Sequence, residues 1–95
     1  MMRLKENPVR SKDYLGQVKE LPCCNCFAPA DDAHHIIGEG QGGMGTKACD
    51  LLTMPLCRGC HTQIHNQSGM WDMQWKWVAQ TQQSILKKAF AEGGL

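Results

Sequence analysis

The sequence predicts a small α+β domain, and three observations carry that prediction. Two cysteine pairs, Cys23/Cys26 and Cys57/Cys60, bracket the histidine doublet His34-His35, and the pair His61/His65 follows directly. Two short stretches rich in apolar and β-branched residues, Ala33 to Ile37 and Leu51 to Leu56, read as strands. Apolar residues three and four apart mark helices ahead of the first cysteine pair and behind the last histidine.

The elements follow in order. Residues 1–10 combine a proline, mixed charge and few apolar side chains, and are expected to form a flexible arm. Residues 11–95 are expected to form one domain. Ser11 is placed to cap a short helix through Asp13, Tyr14 and Val18 that ends before Pro22. Tyr14, Leu15 and Val18 share one face of it. Cys23 to Cys26 reads as a tight turn. Ala33 to Ile37 carries the doublet on a first strand, and Gly38 to Gly45 is glycine-rich and reads as a loop. Leu51 to Leu56 runs as a second strand into Cys57. Arg58 to Gln67 is expected to be helical, with His61 and His65 one turn apart on one face. Ser68-Gly69 interrupts the chain, and a last helix spans about Met70 to Ala91. Its apolar positions are Trp71, Trp75, Val78, Ile85 and Ala89, widened by Met73 and Trp77. That face is expected to pack over the hairpin. A partner or homodimer surface is the other use for so much aromatic area.

Composition narrows the class. A chain of 95 residues buries a modest core, and such domains often lean on metals or disulfides. The N-terminal stretch has no apolar centre like that of a signal peptide. No apolar run is long enough to cross a membrane. A reducing cytoplasm is therefore expected, where paired cysteines read as metal ligands. The formal net charge is +1, without the basic excess common in strong nucleic-acid binders. Any DNA contact must then use local positive potential or a metal ion.

The cysteines Cys23, Cys26, Cys57 and Cys60 match a four-cysteine zinc site, because each two-residue spacer lets both sulfurs reach one ion. Four thiolates on Zn²⁺ leave a formal charge of about −2, which repels phosphate and suits a closed structural centre. Such a centre contributes roughly 10–16 kcal/mol of apparent binding energy to small zinc domains. Cys24 and Cys49 remain over and read as small buried thiols.

The histidines allow a second centre. His61 and His65 can point at one ion, and the strand doublet can add a third imidazole. Adjacent strand residues face opposite sides, so one member of the doublet would ligate and the other would be left for proton transfer. Three neutral imidazoles leave a divalent ion its full charge and an open position. Such an ion polarises a phosphoryl oxygen, and a free imidazole accepts a proton near neutral pH. Those are the parts needed to hydrolyse a phosphodiester.

With His34-His35-Ile36-Ile37 and the downstream run from Cys57 to His65, the sequence resembles the HNH, or His-Me finger, endonucleases. The resemblance covers about residues 21–67. It implies a ββα-metal fold, in which a β-hairpin and a helix wrap one divalent ion, stabilised here by zinc and flanked by N- and C-terminal helices. It implies a metal-dependent DNA endonuclease. His35 would be the general base, and His34, His61 and His65 would hold Mg²⁺, Mn²⁺ or Zn²⁺. The cysteine pairs resemble the structural zinc site of many family members. Small phage and prophage members look most similar, including recombination-enhancing ones that cut beside a recombinase filament. That implies DNA, and such a filament, as partners in the cytoplasm of a bacterial host. The family's middle asparagine braces the loop between the strands, and no asparagine lies between the doublet and Cys57. Asp50 is the nearest polar residue and is expected to brace the loop by accepting backbone hydrogen bonds.

Two basic residues are candidates for phosphate backbone, Lys47 after the glycine-rich loop and Arg58 inside the second cysteine pair. The competing reading is a zinc module without catalysis that binds DNA or protein. It needs only the four cysteines.

Overall fold

The computed structural model describes residues 9–38 and 48–93. Residues 1–8 of the expected arm, most of the glycine-rich stretch and Lys47 lie outside the described residues. The element order is α1 (Lys12–Lys19), β1 (Asp32–His35), β2 (Thr53–Leu56), α2 (Arg58–Asn66) and α3 (Gln74–Ala91), with a 3-10 segment at Ser68–Met73.

Local chemistry sets the start of α1. Ser11 is extended and its hydroxyl accepts the Tyr14 amide at 3.1 Å, which satisfies one of the helix's orphan donors. Asp13 in the first turn and Lys19 in the last suit the helix dipole. Val18 is fully buried.

The sheet is a two-stranded antiparallel pair, with Asp32 opposite Leu56, Ala33 opposite Pro55, His34 opposite Met54 and His35 opposite Thr53. Both strands are shorter than the apolar stretches that announce them, because Leu51, Leu52, Ile36 and Ile37 fall outside the ladder. A proline is tolerated in β2 because each strand of a two-stranded ribbon has a free edge. The Pro55 carbonyl accepts the Cys24 amide at 2.9 Å, which ties the first cysteine turn to the sheet.

Helix α2 leaves β2 after one residue, Cys57, and the Asp31 carboxylate accepts the Arg58 amide at 2.7 Å at its start. The helix turns Cys60 and Ile64 inward. Ile36, Met54, Leu56, Ile64, Trp77 and Val78 make up most of the core. Burying side chains of this size stabilises the fold by roughly 1.5–3 kcal/mol each.

The last helix corrects one expectation. It begins at Gln74, not near Met70, and its buried residues are Gln74, Trp77, Val78, Thr81 and Ile85. Trp75 faces outward at 44% exposure, and Trp77 takes the core position at 5%. The fully buried Gln74 holds the chain just past β1: its Oε1 accepts the Ile37 amide at 2.8 Å and its Nε2 donates to the Ile37 carbonyl at 2.6 Å. Gly38 follows with φ +73, and a Cβ there would collide with the Trp71 ring. Trp71 in turn donates its indole N–H to the Ile64 carbonyl at 3.0 Å.

The arm is not loose where it is described. The Val9 carbonyl accepts the Asp50 amide at 3.0 Å, and Arg10 donates to the Ala48 carbonyl at 2.6 Å. Among the described residues, no helix is long and apolar enough to cross a membrane.

Candidate metal centres

The four paired cysteines converge. Cys23 and Cys26 sit on a turn closed by the Cys23 amide on the Ala28 carbonyl at 2.7 Å and the Phe27 amide on the Cys23 carbonyl at 2.9 Å. Phe27 accepts a left-handed φ of 66 to complete it. Cys57 precedes α2 and Cys60 lies in its first turn, so both pairs meet between the turn and the helix. The four sulfurs lie within 4.8 Å of one another. A tetrahedral ion with Zn–S bonds of about 2.3 Å sets sulfurs about 3.8 Å apart. Cys26 Sγ and Cys57 Sγ are 3.6 Å apart.

The electrostatics of the cluster suit a cation. Burial opposes ionisation of Cys23, but the amides of Cys26, Cys57 and Asn25 outweigh it and bring the thiol to about 6. Burial pushes Cys60 up to about 12; the Asn25 amide at 3.4 Å opposes this, while the sulfurs of Cys57, Cys26 and Cys23 add to it. Four sulfurs this close become thiolates together only around positive charge. Cys24 stands outside the cluster, and burial, then the charge of Cys23, pushes its thiol up to about 12. Cys49 accepts the Val9 amide at 3.3 Å and is also outside it.

The second cluster joins His34 of β1 to His61 and His65 of α2, with ligand nitrogens within 4.8 Å. His34 Nε2 and His65 Nε2 are 3.2 Å apart. A tetrahedral ion with Zn–N bonds of about 2.0–2.1 Å sets nitrogens about 3.3 Å apart, so the donor set fits a divalent ion. The same spacing also suits a hydrogen bond between the two rings. His34 is 4% exposed, and burial, then the nearby His61 and His65, lowers its pKa to about 4. It is therefore neutral, the form that ligates, across the physiological range.

One carboxylate backs this imidazole cluster. The His61 Nδ1–H donates to Asp32 Oδ2 at 2.8 Å, which leaves Nε2 for an ion. Arg58 donates to the same carboxylate from Nε at 3.1 Å. Chiefly the His61 hydrogen bond, against some burial, holds Asp32 below the ordinary carboxylate range. Sequence reasoning missed Asp32, although a signal was present. It lies two residues before His34, and strand alternation puts both on one face. Arg58 and Asp32 join His61, Thr62, His65 and Asn66 around the cleft outside the imidazoles.

His35 is turned to the other side, as alternation requires. Its Nε2 lies 2.7 Å from Asp50 Oδ1, in a cleft lined by Arg10, Ser11, Lys12, Leu15, His35 and Asp50. Asp50 is 4% exposed. Its Oδ2 accepts the Ser11 amide at 2.8 Å, and Arg10 reaches Oδ1 at 3.1 Å. Burial opposes its ionisation, but His35, Ser11 and Arg10 together keep its pKa below the ordinary value. Asp50 does accept a backbone hydrogen bond, but from the start of α1, so it joins the N-terminal segment to His35. Its own carbonyl accepts the Thr53 hydroxyl at 2.9 Å.

The molecule is thus an α+β domain with a cysteine cluster that can hold a structural metal and a histidine cluster beside it, both drawing residues from the start of α2 and its flank. The chain belongs to the family described as a protein of unknown function, DUF968, whose pattern matches residues 1–93. It is similar to the uncharacterized protein YdfU of Escherichia coli (strain K12), at 56% identity over 55 residues. That match covers 58% of this chain and 16% of YdfU, so the chain spans a small part of that relative's length. No solved structure matches the chain.

Proposed function

We propose that this domain is a metal-dependent DNA endonuclease of the His-Me finger type, with a ββα-metal core formed by β1, β2 and α2. The observation that carries the reading is the imidazole cluster. Three histidines from the hairpin and the helix stand at ion-ligand spacing, beside a fourth, His35, that points elsewhere. Nothing in the thiolate cluster requires that second set.

The chain's own residues divide the work. His34, His61 and His65 would hold a divalent ion, which when bound would supply charge stabilisation to a phosphodiester and to the departing oxygen. His35 donates Nε2–H to Asp50, so its Nδ1 is free to take a proton from water. The water oxygen forms a bond to phosphorus, the bond to O3′ breaks, the water proton passes to His35, and O3′ takes a proton from solvent. Arg58 lies at the edge of the imidazole cleft and offers a guanidinium to a neighbouring phosphate. A resemblance to recombination-enhancing phage enzymes supports DNA, and a recombinase filament, as partners.

The test is nicking of supercoiled plasmid and of single-stranded DNA across Mg²⁺, Mn²⁺ and Zn²⁺, with His35→Ala alongside. Cutting by the native chain that is lost in His35→Ala supports the assignment. Equal cutting by both removes His35 as the base.

A second reading is a zinc module without catalysis. The separate clefts of His35 and the imidazole cluster favour it. One tightly held zinc per chain, unchanged when all four histidines are replaced, would decide for it.

A further inference from the structure

We infer that Asp32 is a positioning residue of the imidazole centre, fixing the orientation and tautomer of His61 so that Nε2 faces the ion. This rests on the reading of His34, His61 and His65 as ligands.

The placement begins with strand periodicity. Asp32 and His34 are two residues apart on β1 and share the face turned to α2. Register puts Asp32 opposite Leu56, the last residue of β2 before Cys57. The carboxylate therefore lies under the first turn of α2, where Arg58 and His61, three apart, share a side. Both reach it. His61 Nδ1 is 2.8 Å from Oδ2, Arg58 Nε is 3.1 Å from the same oxygen, and a second Arg58 nitrogen is 3.4 Å from Oδ1. The neighbouring Asp31 is spent on the Arg58 amide, so the two acids have separate duties.

The chemistry follows from the ring. An imidazole offers one nitrogen to a metal only when the other carries the proton, and a carboxylate at 2.8 Å selects Nδ1–H. The anion also raises the basicity of the ligating nitrogen. Arg58 donates to the same carboxylate and helps to steady it. His65 has no such partner among the described contacts beyond His34 and the stacked His61, so His61 is the ring this device secures.

The test is a cation titration of the full chain, with zinc already in the cysteines. Co²⁺ is added and its visible d–d absorption is followed. Asp32→Ala is expected to weaken Co²⁺ binding about 10–100-fold, the usual cost of losing such a partner. Asp32→Asn keeps an oxygen acceptor and is expected to recover part of the loss. Arg58→Ala removes the tether but leaves the His61–Asp32 contact, and is expected to cost clearly less than Asp32→Ala. Zinc content stays at one per chain in all of them. Asp32→Ala within twofold of the native chain overturns the positioning role alone. So does an equal loss in Arg58→Ala, because that marks Asp32 as a fold anchor. A native chain that takes up no Co²⁺ outside the cysteines overturns the imidazole centre itself, and this role with it.

Discussion

Cys60 and His61 are adjacent on α2, yet they belong to different clusters. The Cys60 sulfur joins the other three cysteines, and the His61 ring joins His34 and His65. One residue step on a helix turns the side chain by about 100°, enough to present it to a different neighbour. The first turn of α2 therefore serves both centres.

This sharing predicts a one-way dependence. Cys60→Ser should reduce zinc content, lower stability and also weaken cation binding at the histidines, because α2 is no longer fixed at its start. His61→Ala should lose the second cation and keep the zinc. Metal analysis and thermal melts of the two variants check this, and retention of the second site in Cys60→Ser would disprove the dependence.

Asp50 should matter for stability as well as for His35. It is buried, and its carboxylate serves His35, Ser11 and Arg10 at once. Asp50→Ala leaves those donors without their acceptor and is expected to cost about 1–3 kcal/mol. Urea unfolding measures it. His35→Ala, which leaves Arg10 and Ser11 in place, should cost less.

The same carboxylate predicts a pH dependence. The folded pKa of Asp50 lies below its ordinary value. In a falling titration the unfolded chain takes up its proton first, near pH 3.9, about the usual Asp value. Its stabilising contribution is thus complete above that pH and is lost as pH falls through the lower folded value. Asp50→Asn should differ most from the native chain near neutrality, with the gap closing in acid. A gap that is constant from pH 7 to pH 3 would exclude this linkage.

Gly38 and Gln74 fix the exit from β1. Gly38→Ala must accept φ +73 and drive a methyl into the Trp71 ring, so a loss of about 1–3 kcal/mol is expected. Gln74→Leu keeps the volume but strips both partners from the Ile37 amide and carbonyl, at about 1–3 kcal/mol. Denaturant midpoints compare the two. In Gln74→Leu the amide exchange of Ile37 should also rise.

The two side-chain clusters were legible because metal chemistry favours fixed spacings, and Cys23/Cys26, Cys57/Cys60 and His61/His65 match them. The opposed directions of His34 and His35 were legible from alternation alone. The outward turn of Trp75 was not. On α3 the buried arc runs through Gln74, Trp77, Val78, Thr81 and Ile85, and Trp75, one step of about 100° beyond Gln74, falls off it. The anchoring of Val9 and Arg10 was hidden for another reason. They are held by hydrogen bonds to residues 48–50, and no apolar pattern announces such contacts.

The Gln74 clamp has a consequence for association. A two-stranded ribbon leaves open rims, where unpaired amides and carbonyls can template a strand from another molecule. Gln74 caps one such rim at Ile37, offering an acceptor and a donor as a one-residue mimic of a neighbouring strand. On the opposite strand, the Cys24 amide covers the Pro55 carbonyl. Side chain and cysteine turn thus occupy one backbone position just past β1 and one on β2 that a further strand would need.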